Sequence, residues 1–493
     1  MLDYGAGNVR SLINAIHSLG HKLNIITEPE QILKAERLIF PGVGAFGACM
    51  KALEEKGYKE PLIQYIKSGK PFFGICIGLQ SLFESSEESP GIAGLGIFKG
   101  VVSKFDKSKA SVPHMGWNGL KLKKPSNVLL PSIADRLVYF VHSFCVVPSS
   151  ESCDDPWILA TTDYAGREFV SVIQHHNIFA TQFHPEKSGK VGLSLLHSFI
   201  TYDPSHLPDP STFTPSPKPT SLSKRIIACL DVRSNDDGDL VVTKGDQYDV
   251  REKPEHNQEK GQVRNMGKPV ELASRYFEEG ADEVTFLNIT SFRNCPMKDL
   301  PILELLKKTS ETVHVPLTIG GGIRDITDPD GKFHSALEVA SEYFRSGADK
   351  VSIGGDAVSA ASLYYKNGKV PDGTTSIEQI AYVYGAQAVV ISVDPIRVYV
   401  DSPSSTPHHV VEHNEPGPKG EKYCWYQCTI HGGRTRCDMD VIELVTACEA
   451  LGAGEILLNS IDRDGTNSGY DLKLVQHVKS AVSIPVIASS GTL

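Results

Sequence analysis

The feature that most constrains the fold is a short pattern repeated four times after residue 223. Each copy places Gly-Ala just before a buried strand that ends in a polar residue or a glycine: EGADEVTFLNI, SGADKVSIGGDA, YGAQAVVISVD and LGAGEILLNSID. Three more apolar segments end in the same way: IIACLDVR, VPLTIGGGI and IPVIASSG. Seven such strands, alternating with helical segments, favour a (β/α)₈ TIM-type barrel over the alternative, an open doubly wound sheet.

Both ends of the chain shape this expectation. The sequence stops at Ser490-Gly491-Thr492-Leu493, where an eighth strand would follow. A closed barrel has no edges, so we expect a barrel that lacks its eighth strand and is incomplete at its C-terminus. The first residues, MLDYG, resemble the end of a strand entering a turn. We therefore expect the N-terminus to be incomplete as well.

A segment rich in Pro, Ser and Thr divides the chain. Residues 201–223, TYDPSHLPDPSTFTPSPKPTSLS, contain almost no large apolar side chain and favour an extended spacer. Before it, RLIFPGVG, PFFGICIG, VYFVHSF and IFATQFHPE alternate with helical patterns, which indicates an open α/β sheet. The predicted organisation is an α/β domain over 1–200, a linker over 201–223 and a barrel over 224–493.

The charge balance excludes some classes of function. A formal net charge of -10 leaves no basic surplus for a non-specific nucleic-acid or membrane binder. The sequence has no run of about 18 apolar residues that could span a membrane, and no recognisable targeting segment. Small phosphorylated substrates stay compatible with this charge, because backbone amides and a few lysines can hold them.

The ten cysteines contain no CxxC pair, which fits a reducing compartment. The closest two are Cys424 and Cys428. Four histidines lie near them in the sequence: His408, His409, His413 and His431. A metal site there is conceivable, but residues four apart share one face of a strand, and we interpret the pair as two thiols on such a face. We predict no metal and no cofactor.

A candidate nucleophile lies in Gly74-Ile75-Cys76-Ile77-Gly78, where a strand turns into a helix. Glycines on both sides permit the sharp turn of a nucleophile elbow, and a helix start favours the thiolate. Phe183-His184-Pro185-Glu186 ends a later strand, so His184 can act as base and Glu186 can orient it. A buried cysteine is usually a small apolar residue. The two motifs together, in this order on an α/β pattern, favour catalysis.

These motifs resemble the signature of class I glutamine amidotransferases over roughly residues 1–200. The resemblance implies attack of Cys76 on the glutamine amide, release of ammonia and hydrolysis of a glutamyl thioester. It also implies an oxyanion loop and a glutamine pocket, made by Gly42, Val43, Gly44, Ile77, Gln80, Glu88, His142, Ser143 and Phe144.

The barrel carries a second set of candidates. Asp231 ends IIACLD, and Asp464 follows ILLNSID at the equivalent place of the other half. Aspartates at strand ends often cap turns, but a pair across a barrel mouth suits general acid–base chemistry. Glycine turns follow four strands and let backbone amides approach an anion: Gly320-Gly321-Gly322, Gly354-Gly355, Gly465-Thr466 and Ser490-Gly491. Phosphate sites on opposite sides imply a substrate with two phosphates.

The barrel resembles the cyclase of histidine biosynthesis. RIIACLDVR, DLVVTKGDQYDVRE, FLNITSFR, KVSIG and EILLNSIDRDG carry the likeness. With the amidotransferase before it, the whole chain resembles the fused bifunctional imidazole glycerol phosphate synthases of plants and fungi. The resemblance implies that Asp231 and Asp464 are the acid–base pair. It further implies substrate or phosphate contacts by Lys244, Gly322, Gly354, Gly355, Asp394, Gly465, Thr466 and Gly491.

The same resemblance implies a route between the two sites. Four charged residues near the N-terminal ends of barrel strands match a gate for ammonia: Arg225, Glu283, Lys350 and Glu455. Charges at the bottom of a barrel are usually structural or solvated. Asp349 is expected to pair with Lys187, just after the catalytic histidine motif, and to couple the domains.

The expected activity uses glutamine and N'-phosphoribulosyl-formimino-AICAR-phosphate, and it yields imidazole glycerol phosphate and AICAR for histidine biosynthesis. Three alternatives are a chain that only binds ligand or hydrolyses glutamine, an amidotransferase with another acceptor domain, and a related isomerase barrel. A fused chain predicts a monomer. A plant-type enzyme would lie in the plastid stroma, and otherwise in the cytoplasm.

Overall fold

The chain is described by a computed structural model over residues 1–5, 7–124, 136–148, 155–203, 220–235, 239–243, 265–289, 297, 300–413 and 415–491. The helices described up to residue 203 are α1 (Val9–Ser18), α2 (Pro29–Lys34), α3 (Phe46–Glu55), α4 (Lys59–Lys67), α5 (Ile77–Gln80) and α6 (Gly189–Thr201). The strands there are β1 (Leu38–Phe40), β2 (Phe72–Ile75), β3 (Ser85–Ser86), β4 (Val101–Lys104), β5 (His114–Asn118), β6 (Lys121–Leu122), β7 (Val138–His142), β8 (Phe144–Val146), β9 (Ile158–Tyr164), β10 (Arg167–His175) and β11 (Ile178–Thr181).

A mixed sheet of order β1-β2-β11-β10-β9-β6 forms the centre of this part. β2 pairs in parallel with β1 and with β11, and the remaining pairs are antiparallel. All four residues of both β2 and β11 are buried, as expected for strands covered on both faces. Because β2 and β11 are parallel neighbours, the residues that follow them meet at one edge of the sheet.

From residue 220 onward the described helices are α7 (Pro269–Glu278), α8 (Pro301–Thr312), α9 (Ala336–Ser346), α10 (Gly355–Lys366), α11 (Ser376–Tyr384), α12 (Val441–Ala450) and α13 (Leu472–Ala481). The strands are β12 (Ile227–Ser234), β13 (Leu240–Thr243), β14 (Glu283–Asn288), β15 (Leu317–Gly320), β16 (Ile326–Thr327), β17 (Phe333–His334), β18 (Lys350–Ile353), β19 (Val389–Val400), β20 (Val410–Glu412), β21 (Tyr423–Ile430), β22 (Thr435–Asp440), β23 (Glu455–Asn459) and β24 (Val486–Ser489). Capping boxes at Ser335, Thr375 and Asp440 start α9, α11 and α12.

The strand order confirms the α/β fold and the seven strands predicted for the barrel. Within the described residues, β12, β14, β15, β18, β19, β23 and β24 pair in parallel in that order. Each of the four Gly-Ala copies leads into one of these strands. No pairing between β12 and β24 is found in the described part of the chain, so this sheet does not close there.

One strand of the barrel extends into a separate antiparallel layer. β19 continues past the barrel and pairs with β21, which in turn pairs with β20 and β22. Cys424 and Cys428 both lie buried on β21, as two thiols on one face of a strand. We call the segment 395–440 the β19–β22 extension. None of the described helices is long and apolar enough to cross a membrane.

Candidate active sites

Cys76 lies on a sharp turn between β2 and α5. Its φ of 51° belongs to the left-handed region, which residues other than glycine seldom adopt. The neighbouring glycines allow the strand and the helix to touch. A Cβ at Gly74 would lie 2.8 Å from the backbone of Gly78, and one at Gly78 would overlap the carbonyl oxygen of Phe40. The backbone therefore has the shape of a nucleophile elbow and places the thiol at the tip of the strand.

Substitution of Gly78 tests this packing. We expect Gly78→Ala to lower the unfolding free energy of the domain that contains Cys76 by about 1–3 kcal/mol, because its methyl group would collide with a backbone oxygen. Calorimetry of the whole chain measures the change. Gly355→Ala is a control, since its added Cβ would lie 3.9 Å from the nearest atoms, those of Ile430. Equal melting curves for the two variants would contradict the argument.

His184 follows β11 and lies beside the elbow, because β2 and β11 are neighbours. Its Nδ1 is 2.7 Å from Oε1 of Glu186, and both side chains are buried. Burial lowers the pKa of His184, but Glu186 and Cys76 outweigh this effect and hold the pKa well above its ordinary value. Since Glu186 occupies Nδ1, Nε2 is the nitrogen left for the thiol. The structure thus brings the three residues of the predicted relay together.

A fourth residue, which the sequence analysis did not single out, contacts the thiol. Nε2 of Gln182 donates to Sγ of Cys76 at 3.4 Å, and Oε1 of Gln182 accepts from Nε2 of Gln80 at 3.1 Å. Gln80 also donates to the carbonyl oxygen of Phe144 at 2.9 Å. A signal was present, because Gln182 lies two residues before His184, and residues two apart in an extended segment share a face.

The predicted oxyanion loop lies between the elbow and the barrel. Gly42 is packed so closely against Tyr4 and Ile77 that a side chain would overlap both. Just after Gly44, the amide of Ala45 donates to the carbonyl oxygen of Val383 in the barrel at 3.4 Å. The loop therefore touches both halves of the chain.

The residues predicted for the wall of the glutamine pocket have well-defined partners. Oε2 of Glu88 accepts from the amide of Phe46 at 2.7 Å, and burial raises the pKa of Glu88. His142 is buried 3.1 Å from His114 and 2.8 Å from the carbonyl oxygen of Phe144, and burial lowers its pKa to about 3. The imidazole of His142 is therefore neutral at pH 7. Ser143 and Phe144 are half-buried beside it, and the role of this wall in binding stays a prediction.

Three carboxylates meet at one end of the barrel. Burial, and then the charges of Asp464 and Asp394, raise the pKa of Asp231 to about 6. Nδ2 of Asn459 donates to Oδ1 of Asp394 at 3.1 Å, and the hydroxyl of Ser490 donates to Oδ1 of Asp464 at 3.4 Å. The aspartates predicted from opposite halves of the repeat are therefore electrostatic neighbours. A raised carboxyl pKa in such a cluster is typical of acid–base sites.

The position of Asp231 within its strand differs from the prediction. The sequence predicts that β12 ends at Asp231, but β12 continues to Ser234 and pairs with β13, with Asp231 opposite Thr243. The apolar run before Asp231 ends there because the strand passes from the barrel core to the barrel mouth. Backbone pairing does not end, since a hairpin partner is available.

The predicted glycine turns follow the strands as expected. Gly322, Gly465 and Gly491 have φ values of 78°, 70° and 81°, and Gly354-Gly355 begins the long helix α10. The hydroxyl of Thr466 donates to the carbonyl oxygen of Arg463 at 2.8 Å. Lys244, predicted to close over substrate, lies outside the described residues.

Four charged side chains form a buried ring at the opposite end of the barrel. Nζ of Lys350 lies 2.5 Å from Glu283 and 2.7 Å from Glu455. Arg225 pairs with Glu283 at 2.8 Å and also pairs with Glu455. Burial would raise the pKa of Glu455, but Arg225 and Lys350 outweigh it and lower that pKa. These four side chains, which we call the charged ring, were predicted as one cluster, and the structure brings them together.

The part of the chain before residue 204 covers this end of the barrel. Sδ of Met115 lies 3.7 Å from Nζ of Lys350, and Nζ of Lys187 lies 2.6 Å from Asp349 in a largely buried ion pair. Asn8 also donates to Asp349, at 2.8 Å. One cavity between the halves is lined by Val43, Tyr139, Val141, His184, Lys187, Asp349, Lys350 and Gln387. It borders His184 on one side and the charged ring on the other.

Comparison with known proteins agrees with this geometry. A family described as glutamine amidotransferase class-I matches residues 1–201, and a family described as histidine biosynthesis protein matches residues 225–493. Imidazole glycerol phosphate synthase hisHF of Schizosaccharomyces pombe is 56% identical over 494 residues, which cover 100% of this chain and 90% of that protein. The chain belongs to the imidazole glycerol phosphate synthase hisHF family.

Other members of this hisHF family are equally similar. The protein of the same name from Emericella nidulans is 56% identical over 499 residues, covering 100% of this chain and 90% of its own length. The protein from Arabidopsis thaliana, named imidazole glycerol phosphate synthase hisHF, chloroplastic, is 55% identical over 493 residues, covering 100% and 81%. As a hisHF family member, the chain is an enzyme with glutamine amidotransferase and cyclase parts in one polypeptide.

Proposed function

We propose that this chain hydrolyses glutamine at Cys76 and passes the ammonia into its barrel. There it would convert N'-phosphoribulosyl-formimino-AICAR-phosphate to imidazole glycerol phosphate and AICAR in histidine biosynthesis. The observation that carries the proposal is the cavity lined by both His184 and Lys350, since it borders the glutaminase site and the charged ring. Membership of the hisHF family supports the same chemistry.

In the glutaminase step, Sγ of Cys76 attacks the side-chain carbonyl carbon of glutamine. The carbon–nitrogen bond breaks, and His184 transfers a proton to the leaving nitrogen, which departs as neutral ammonia. Backbone amides of Ile77 and of the Val43-Gly44 loop would hold the tetrahedral oxygen. Water then attacks the thioester carbon, releasing glutamate and restoring the thiol. Glu186 keeps the imidazole oriented throughout.

Ammonia has to reach the barrel unprotonated, because ammonium has no lone pair with which to attack. An enclosed path between His184 and the charged ring would keep it from water. The ring closes the end of the barrel through ion pairs of Arg225 and Lys350 with two carboxylates. One of these pairs has to separate before ammonia can enter the barrel axis, so we propose that the ring is a gate.

In the cyclase step, the barrel aspartates would exchange protons with the substrate. A pKa of about 6 leaves Asp231 mostly ionised at neutral pH yet able to accept a proton, which suits a general base. Asp464 would serve as its partner acid, and Asp394 would position the substrate. Glycine turns after β15, β18, β23 and β24 would hold its two phosphates through backbone amides.

The ion pair between Lys187 and Asp349 is proposed to couple the halves. We expect Lys187→Met to lower the amount of imidazole glycerol phosphate formed for each glutamine hydrolysed. Removal of Lys187 leaves the charge of Asp349 uncompensated, which loosens the contact between the two halves. Product and glutamate are measured together in one assay. Lys51→Met is the control, since that side chain is 70% exposed on α3. An unchanged product-to-glutamate ratio in Lys187→Met would refute the coupling.

A second candidate function is glutamine hydrolysis without turnover of the bis-phosphate. Among the described residues β12 and β24 do not pair, and a test of barrel turnover is therefore needed. Supplying the bis-phosphate with an ammonium salt separates the two candidates. AICAR release from the bis-phosphate supports the complete reaction. The second candidate function is supported if glutamine still yields glutamate but no AICAR forms with either glutamine or the ammonium salt.

We also propose that the chain is a monomer, because both catalytic parts lie in one polypeptide. Light scattering of the purified chain tests this. A plastid location rests only on likeness to the plant relative, and fungal relatives are as similar. Imaging of the tagged protein in its own cells would decide the compartment.

A further inference from the structure

A histidine and two carboxylates converge in the β19–β22 extension, away from both proposed active sites. His408 precedes β20, Asp440 ends β22, and Glu443 lies in the first turn of α12. Nδ1 of His408 is 3.7 Å from Oδ2 of Asp440 and 3.4 Å from Oε2 of Glu443. We infer that these three side chains form a binding site for a divalent transition-metal ion of the Zn²⁺ type, with water as a fourth ligand.

The distances agree with this inference. Ligand atoms about 2.1 Å from a tetrahedral Zn²⁺ lie about 3.4 Å from one another. The two distances from Nδ1 of His408 are close to that value, and the three ligand atoms all lie within 4.8 Å of each other. An ion could therefore enter with side-chain shifts of a few tenths of an ångström at the histidine.

The imidazole of His408 is held in the orientation that a metal ligand needs. Its side chain is 9% exposed and stacks on Trp425 with ring centroids 3.9 Å apart. Nε2 lies 3.2 Å from Oδ1 of Asp438, whereas Nδ1 is buried and makes no hydrogen bond within the described structure. Metal-bound histidines typically donate their other ring nitrogen to a carboxylate in this way. Donation from Nε2 leaves a lone pair on Nδ1, facing Asp440 and Glu443.

Helix capping explains only part of this cluster. Oδ1 of Asp440 accepts from the amides of Ile442 and Glu443, and Oε2 of Glu443 accepts from the amide of Asp440 at 2.7 Å. Oδ2 of Asp440 accepts from His409. A carboxylate oxygen has two lone pairs, so Oε2 of Glu443 keeps one for a metal. Both lone pairs of Asp440 Oδ2 are used by His409, and an ion would therefore have to displace the bond from Nδ1 of His409, whose side chain is 55% exposed. Capping does not require a buried imidazole whose Nδ1 faces two carboxylates.

The test uses the full chain after chelation and dialysis, with Co²⁺ and Zn²⁺ themselves as probes. We expect one tightly bound equivalent, a four-coordinate Co²⁺ absorption band, and a higher melting temperature with Zn²⁺, because the ion joins the segment before β20 to α12. His408→Gln should lose at least about tenfold in affinity, and Asp438→Asn should lose about 10–100-fold.

The matched control is His431→Gln, because His431 is an exposed histidine of the same extension and lies outside the cluster. It should bind metal like the unsubstituted chain. Melting curves recorded without metal show whether each variant is folded. If folded His408→Gln binds Co²⁺ as tightly as the unsubstituted chain, or if neither binds an equivalent, the site does not exist.

Discussion

Cys76→Ala is expected to lower glutamine-dependent formation of imidazole glycerol phosphate by about 10⁴–10⁶-fold, because alanine has no thiol with which to form the thioester. Formation from an ammonium salt should persist, since the barrel machinery is unchanged. Glutamate release and AICAR formation, each measured with both nitrogen sources, give the two rates. A rate that falls with glutamine but not with the ammonium salt shows that Cys76→Ala impairs the supply of ammonia.

Cys145→Ala is the matched control for this variant. Cys145 is likewise a buried free cysteine of the glutaminase half, and it lies in β8. It should retain glutamine-dependent activity. Glutaminase activity that survives in Cys76→Ala would show that the nucleophile lies elsewhere, and loss of both activities would indicate damage to the fold.

Asp231→Asn is expected to lower the cyclase rate by about 10²–10⁴-fold, the usual loss when a general base is removed. The asparagine keeps the shape of the side chain, so basal glutamine hydrolysis should be retained. The assay follows AICAR from the bis-phosphate and ammonium, relative to the unsubstituted chain. Asp239→Asn is a control, because Asp239 is an exposed aspartate beside the same hairpin. Equal cyclase rates for Asp231→Asn and the unsubstituted chain would exclude Asp231 as the base.

The pH dependence of Asp231 follows from its neighbours. Its pKa of about 6 is raised by burial and by Asp464 and Asp394, so the base form is lost as the pH falls below about 6. Asp464→Asn removes a negative neighbour, which favours the carboxylate and should move the titration to lower pH. Carbon-13 NMR of labelled aspartates, with Asp231→Asn to assign the signal, measures this shift.

The same pKa makes a prediction about stability. In the unfolded chain the carboxyl of Asp231 has a pKa near 3.8. The folded state therefore binds the proton of Asp231 more tightly than the unfolded chain does. The resulting stabilisation is therefore complete at low pH and is lost as the pH rises through about 6. Asp231→Asn should consequently make the barrel more stable at pH 7, although we expect it to lower the cyclase rate. A melting temperature below that of the unsubstituted chain at pH 7 would contradict this.

Several features of the fold and of the sites followed from local sequence. The Gly-Ala repeat predicted the parallel barrel strands, because glycine turns and apolar runs determine where a buried strand begins and ends. The elbow around Cys76 followed from flanking glycines, whose lack of a Cβ is what allows β2 and α5 to touch. Asp231 and Asp464 were paired from the repeat alone, and their mutual charge interaction appears in the structure.

Other features depend on groups that are remote in sequence. Gln182 reaches Cys76 across 106 positions, and His408 lies 32 positions before Asp440. The likeness to glutamine amidotransferases predicts His142 for a pocket wall, but its contact with His114 follows only from the tertiary structure. β12 extends past Asp231 because β13 is there to pair with it. None of these contacts has a local pattern, because each depends on how separate elements pack.

The sequence by itself determined the α/β architecture, the nucleophile turn and the identities of the charged residues, since these depend on backbone preferences and on the spacing of apolar and glycine residues. Only the tertiary structure decided which of those residues meet. It closed the charged ring from four separate segments and joined His184 to that ring through one cavity. It also turned His408 toward two carboxylates. Burial and distance decide the chemistry of such groups, and both arise only when the segments pack together.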